Sequence, residues 1–161
     1  MATVSIVMKY GSVKGESGLS DYPEWIVLND IYHSGGWSQS SAKGTDTDLA
    51  QSTLEMSQIS INRNWDTSSF ALLQEFAKGK PQSTVTIKAV AGKGGEHVIA
   101  SYELENVAIT GWNMQHGDGV GGEHIELTAS KMSVTGYGYD DKGNQNKNIP
   151  VKYDYTKAAP V

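Results

Sequence analysis

The histidines are the first residues to consider for chemistry, and the chain has four of them. His116 and His124 flank a glycine-rich stretch, with Asp118 and Glu123 close by in sequence. Imidazole and carboxylate groups bind divalent metals, so this segment is the best candidate for a metal site. However, such a site needs three or four converging ligands, and no histidine pair has the i, i+4 spacing of a helical site. We therefore interpret all four as surface or sheet residues and expect no metal.

Carboxylate pairs are the next candidates, because glycoside hydrolysis uses two facing carboxyl groups, one of them with a raised pKa. Glu103 and Glu105 would share one face of a strand, and Glu123 lies three residues before Glu126. A solvated sheet face produces the same spacing. The chain has no GxSxG nucleophile motif, and its glycine-rich stretches do not match a phosphate-binding loop. No residue set indicates an active site, so we expect neither catalysis nor a cofactor.

The length and composition of the chain limit the number of domains and the classes of protein to which it can belong. At 161 residues the chain has the size of one domain, and we assign residues 1–161 to it. The net charge of −5 and the single arginine argue against a nucleic-acid partner. The chain has no cysteine, which excludes disulfides and thiolate metal sites. No stretch approaches the roughly 20 apolar residues of a membrane-spanning helix, and residues 1–25 show no secretory signal.

Most of the sequence shows the alternation of half-buried strands. At the N-terminus the apolar residues Val4, Ile6 and Met8 occupy every second position and would therefore share one face of a strand. Glycine-rich turns separate the later segments. About eight or nine strands are predicted, which favours an all-β sandwich or barrel. The alternation of apolar residues shifts by one position near Ser57 and Gln58, which predicts a β-bulge there.

Two segments depart from this strand pattern. Helical spacing predicts a single helix at about residues 67–78, with an apolar stripe formed by Phe70, Leu73, Phe76 and Ala77. Residues 35–52 form a long polar linker whose only large apolar side chain is Trp37. Loops longer than about 12–15 residues in compact domains are usually functional or disordered, so this linker is a candidate functional segment.

Several short motifs together cover nearly the whole chain, although each is weak alone. They include the turn Val13–Ser17 after the first strand, the helix opening at Asp66–Ser69, the strand Tyr102–Val107, the strand Ile125–Leu127 and the closing strand Val151–Tyr155. Trp25-Ile26, His33-Ser34 and Ser38–Ser40 add a further segment. In this order and spacing, the motifs resemble those of the Hcp (hemolysin-coregulated protein) family, which forms the tail tube of type VI secretion systems.

The resemblance implies a mainly β fold: a small β-barrel of two packed antiparallel sheets with one α-helix at about residues 67–78. It also implies hexameric rings that stack into a tube and are expelled by a contractile sheath. The implied partners are other copies of the chain, type VI sheath and spike components, and effectors carried in the pore. Assembly in the cytoplasm and secretion without a signal peptide are expected.

Candidate functional residues follow from this role. The long linker, with Trp37, Asp46 and Asp48, is the candidate contact with a neighbouring subunit or ring. Asp30 and Tyr32 are the candidate pore-facing residues. Two other readings stay open: a tube protein of another contractile injection particle or phage tail, and a carbohydrate-binding β-sandwich, for which the four tryptophans would line a sugar face.

Overall fold

The computed structural model of the protein describes residues 3–38, 53–118 and 120–161. These described residues form twelve strands and one helix, α1 (Thr67–Lys78). The strands are β1 (Val4–Tyr10), β2 (Ile26–Leu28), β3 (Asp30–Tyr32), β4 (Gly35–Ser38), β5 (Thr53–Met56), β6 (Ile59–Asn64), β7 (Gln82–Ala91), β8 (His97–Gly117), β9 (Val120–Thr128), β10 (Lys131–Tyr139), β11 (Gln145–Asp154) and β12 (Ala159–Pro160).

Two antiparallel sheets share the long strand β8. The first sheet has the order β12-β11-β10-β8-β7-β1-β2, and the second has the order β3-β6-β9-β8. The first half of β8 pairs with β7 and β10, and its second half, from Ala108 onwards, pairs with β9. This confirms the predicted fold class of two packed antiparallel sheets with one helix. The pairing among the described strands does not close into a complete barrel.

The backbone of β8 changes direction where it passes from one sheet to the other. Asn106 has a positive φ of 53°, a conformation that asparagine adopts more readily than most residues. A register shift between Ile109 and Gly111 follows directly, with Thr110 as the extra, exposed residue. Because bulges increase the bend and twist of a strand, these two features together let one strand serve both sheets.

The hydrophobic core lies between the sheets and under α1. Its fully buried members alternate along the strands, as period-2 burial requires. They include Met8, Tyr10, Ile26, Ile59, Ile61, Leu72, Val85, Ile87, Leu104, Val107, Ile125, Leu127 and Met132.

Local signals define the ends of α1, which lies where the sequence predicts it. Asp66 accepts a hydrogen bond from the backbone N–H of Ser68, and Ser69 completes a reciprocal capping box. Gly79 ends the helix in the left-handed conformation, with φ 65°. The predicted apolar stripe is wrong at Phe70, which is 53% exposed, and at Ala77, which is also exposed, while Leu72 is buried instead. The helix is rotated because Ser68 and Ser69 turn inward to a buried arginine.

The predicted bulge at Ser57 and Gln58 is also wrong. The phase slip marks a change of sheet, because β5 pairs with β4 in a separate two-stranded ribbon while β6 belongs to the second sheet. Gln58 fills the junction, since its side chain both donates to the carbonyl and accepts from the N–H of Ala129. Sequence periodicity alone cannot distinguish a bulge from such a switch.

The described part of the chain holds no helix with the length and apolar character needed to span a membrane.

Candidate functional site

The outward side of the second sheet is a continuous polar surface, which we call the polar face. The inward residues of its strands are buried, so the alternate residues point outward. These outward side chains are Asp30, Tyr32, Ser60, Asn62, Asn64, Thr110, Asn113, Gln115, His124, Glu126 and Thr128. Tyr32 is the one large aromatic residue among them. Both predicted pore-facing residues, Asp30 and Tyr32, therefore lie on this surface.

A row of side-chain hydrogen bonds crosses the strands of the polar face. Asn62 donates from Nδ2 to Oδ1 of Asp30 at 2.7 Å. This leaves Oδ1 of Asn62 to accept from Nδ1 of His124 at 2.8 Å, which places a proton on that nitrogen. Nε2 of His124 lies 3.8 Å from a carboxylate oxygen of Glu126. The two hydrogen bonds hold Asp30, Asn62 and His124 to one another, so these three side chains form an ordered row rather than independent rotamers.

The polar face carries negative charge without compensating lysine. Asp30 and Glu126 are both exposed. The strand segments that form it contain no lysine, and their one arginine, Arg63, points inward and is buried. An open groove of about 520 Å³ runs along one end of this surface, and its lining includes amide side chains such as Asn29, Asn64 and Gln115. Amides donate and accept hydrogen bonds without charge, so the groove suits water and polar groups.

A separate two-stranded ribbon, which we call the arm, carries Trp37. In it β4 pairs with β5, with Trp37 opposite Leu54, and the Trp37 side chain is 62% exposed. The predicted contact residues Asp46 and Asp48 lie outside the described residues. Tyr153 anchors the base of the arm by donating from its hydroxyl to the carbonyl of Leu54 at 2.9 Å.

A second tyrosine holds the same base. The hydroxyl of Tyr155 donates to the carbonyl of Ser57 at 2.8 Å. Burial, with a contribution from the neighbouring Tyr153, raises the pKa of Tyr155 to about 12. The hydroxyl therefore keeps its proton, and the hydrogen bond, throughout the physiological pH range. The arm is thus firmly attached at its base and exposes its aromatic residue.

A buried ionic cluster joins α1 to the second sheet. Arg63 is 1% exposed, and its guanidinium lies 3.0 Å from Glu123 and 2.7 Å from Asp66. It also donates to the hydroxyls of Ser68 and Ser69, while Glu123 accepts from the indole N–H of Trp112 at 2.9 Å. Burial opposes the charged form of Asp66. Hydrogen bonds from Ser68 and Arg63, with the charge of Arg63, outweigh it and lower the pKa of Asp66.

Sequence reasoning missed this cluster, although one signal was present. Arg63 is the only arginine of the chain and continues the inward phase of Ile59 and Ile61. An arginine at an inward position requires buried acceptors. Asp66 is three residues from Arg63 in the sequence, but Glu123 is distant in the sequence and meets Arg63 only in the folded protein.

The histidines and carboxylates considered for metal binding do not converge. Glu123 is held in the buried cluster, His124 points to the polar face, and His116 stacks edge-on against Trp65 at 4.9 Å. The described residues contain no group of three or more metal-ligating side chains. Glu103 and Glu105 both lie on an exposed sheet face.

Comparison with known proteins identifies the relatives of this architecture. A family model described as "Type VI secretion system effector, Hcp" matches residues 7–137. No curated protein sequence matches the chain. Among solved structures, one described as a type six secretion system protein has 18% identity and a TM-score of 0.85, with 99% of this chain and 100% of that chain covered.

Two further structures come from named organisms. Hcp1 from Salmonella typhimurium has 18% identity and a TM-score of 0.72, with both chains fully covered. A mutant of the Hcp1 protein from E. coli EAEC 042 has 19% identity and a TM-score of 0.68, covering 94% of this chain and 97% of that chain. These likenesses show a shared fold across nearly the whole chain. The family model, which spans well over half of the sequence, confirms the resemblance given by the short motifs: this chain belongs to the Hcp family of the type VI secretion system.

Proposed function

We propose that this protein is a structural subunit of the type VI inner tube, in which hexameric rings stack and enclose a pore. Family membership supports the role, and the polar face is the observation that carries it. A water-filled channel needs a wall without apolar side chains that would trap passing polypeptides. The polar face provides such a wall across four strands, with Asp30, Asn62 and His124 held in one hydrogen-bonded row and Glu126 beside it.

In this role the polar face lines the pore and contacts effectors, with Asp30 and Tyr32 among the contacting residues. Its side chains are mostly uncharged, and several of them already hydrogen-bond to one another. Contacts with cargo would therefore be weak and numerous, which allows binding in the tube and release after delivery. The rings would be assembled in the cytoplasm and expelled with the spike by contraction of the sheath.

The arm is the second element of the proposal. Trp37 has a large apolar side chain that is mostly exposed, so covering it with a partner would release a favourable free energy of burial. Tryptophan is also enriched among the residues that contribute most to binding energy at interfaces. The tyrosine-anchored base fixes the direction of the arm. We place Trp37 and the adjoining segment with Asp46 and Asp48 at a contact with a neighbouring subunit or ring.

The protein would act through its shape and catalyse nothing. Its exposed carboxylates Glu103 and Glu105 lie on an open sheet face, whereas the buried Glu123 is neutralised by Arg63. Neither arrangement provides a carboxyl group poised for proton transfer in a cleft.

A secretion assay in the native bacterium tests the proposal. The protein should appear in the medium of cells with an intact sheath and remain inside cells whose sheath cannot contract. A cytoplasmic marker protein controls for lysis. Equal release from both strains would contradict a role in the expelled tube.

A further inference from the structure

An apolar surface on the first sheet lies beyond the cover of the second sheet. Residues that pair directly across β1, β7, β8, β10 and β11 form rows on the inner face of the first sheet. In two neighbouring rows, the residues become progressively less buried from β1 towards β11. Ile149 and Val151 are 64% and 55% exposed although their side chains point to the same side as the buried Tyr153. We call this surface the shelf; it comprises Val4, Ile6, Ala89, Ala100, Val134, Gly136, Ile149 and Val151.

The shelf has large residues at its two sides and small ones between them. Ile149 pairs with Gly136, Gly136 with Ala100, and Ala100 with Ala89, so three small residues follow one another across the sheet. A Cβ added at Gly136 would meet nothing within 4 Å, which shows open space above this position. The shape suits a bulky apolar side chain from outside.

A pair of exposed aromatic residues lies at the C-terminal end of β8, whereas the shelf lies near the N-terminal end of that strand. Trp65 and Phe70 are 44% and 53% exposed and pack edge-on at 5.7 Å. His116 also packs edge-on against the indole at 4.9 Å, and the backbone N–H of Trp65 donates to the carbonyl of Gly121. We call Trp65, Phe70 and His116 the knob. Because these contacts already fix its side chains, binding would cost little conformational entropy.

Strand β8 connects the two features, with Ala100 on the shelf and His116 in the knob. A single copy therefore presents the shelf and the knob near opposite ends of the same strand. Such a pair suits a heterologous contact, in which one copy's knob meets the next copy's shelf and the contact repeats around a ring or along a stack. The flanking charges are complementary: Lys147 projects beside Ile149, and Glu16 accepts from Thr67 one helical turn before Phe70.

We propose that the shelf binds the Trp65–Phe70 knob of a second copy of this chain. The inference rests on the proposed function and names the surfaces that join its subunits. The knob is a better occupant than Trp37, because the arm is anchored to Tyr153 on the same side of the molecule as the shelf. A heterologous contact needs two separate surfaces on each copy. The shelf and the knob meet that condition, because they lie near opposite ends of β8.

The absence of cysteine from the sequence permits a direct cross-linking test. The double variant Gln74→Cys/Lys147→Cys places one thiol beside Phe70 and one beside Ile149, leaving shelf and knob intact. A short bis-maleimide should convert it into a ladder of covalent multimers, because every copy carries both halves of the contact. A mixture of the two single variants should stop at dimers. The control Gln74→Cys/Lys9→Cys, with its second thiol on the opposite face of the first sheet, should give no ladder.

A substitution at an exposed position gives a second test without cross-linking. Phe70→Glu would bring a charge to the apolar shelf and should raise the concentration needed for assembly by about ten-fold or more. Gln74→Glu, on the same helix face, should leave it unchanged. Circular dichroism should show both variants folded.

The outcomes separate this proposal from the proposed function. Wild-type rings in micrographs, with no ladder above the control, would overturn the contact and leave the tube role standing. A ladder from a protein that forms no rings would support the contact and overturn the tube role. A ladder from Gly36→Cys/Lys147→Cys alone would show that the arm occupies the shelf and would overturn the choice of the knob.

Discussion

The guanidinium of Arg63 and the carboxylate of Glu123 form a fully buried ion pair at 3.0 Å between adjacent strands β6 and β9. The same guanidinium reaches Asp66 at the N-terminus of α1. One side chain therefore fixes the helix to the second sheet. It also sets the rotation of α1 that leaves Phe70 exposed.

Removing Glu123 should strongly destabilise the fold. Glu123→Ala removes the fully buried partner of Arg63 and leaves only Asp66, which is partly exposed, and breaking a buried ion pair costs about 3–5 kcal/mol. Urea denaturation should show a loss of this size in the free energy of unfolding. Glu126→Ala is the matched control, because Glu126 lies on the same strand but on the exposed polar face, and it should change stability by no more than about 0.5 kcal/mol. Equal effects of the two variants would contradict a clamping role for Glu123.

The lowered pKa of Asp66 should make stability depend on pH in acid. Its contribution is present above the unfolded pKa of about 3.9 and is lost as the pH falls through the lower folded value. Asp66→Asn keeps a residue that can cap the helix but removes the titrating charge. The stability difference between wild type and this variant should therefore be largest near neutral pH and shrink as acid is added. A difference that stayed constant down to pH 2 would argue against this origin.

How much of this the sequence could predict depends on the range of the interactions. The helix ends were predictable because Asp66 and Gly79 act within one turn of their own position. The sharing of β8 between sheets was not, because it depends on pairing with β7, β9 and β10, which lie elsewhere in the sequence. The orientation of Phe70 was missed for the same reason, since a buried Arg63 and a distant Glu123 override the apolar stripe.

Trp37 on the arm should matter for assembly and not for folding. Trp37→Ser removes a side chain that is 62% exposed in the single chain, so thermal unfolding of the monomer should change little. Light scattering should show weaker ring or tube formation. Deleting residues 38–48 should have the same effect, and unchanged assembly of both variants would exclude this segment from the contact.

Charge reversal on the polar face should affect cargo but not rings. Asp30→Lys and Glu126→Lys place cations on a surface whose described strands expose no lysine, and Asp30→Lys also removes the acceptor at one end of the hydrogen-bonded row. Ring formation should persist, while the half-life of a co-produced effector in cells should change. Glu103→Lys, on the exposed face of the first sheet, is the control. Cargo that responds equally to all three variants would place the pore wall elsewhere.

Negative-stain electron microscopy of the purified wild-type protein tests the central claim most directly, because a protein that acts by shape must assemble with itself. Single rings of uniform diameter with an open centre, and short stacks of them at higher protein concentration, are the predicted result. A protein that remains monomeric at high micromolar concentration, or that forms only aggregates without a central opening, would contradict the account.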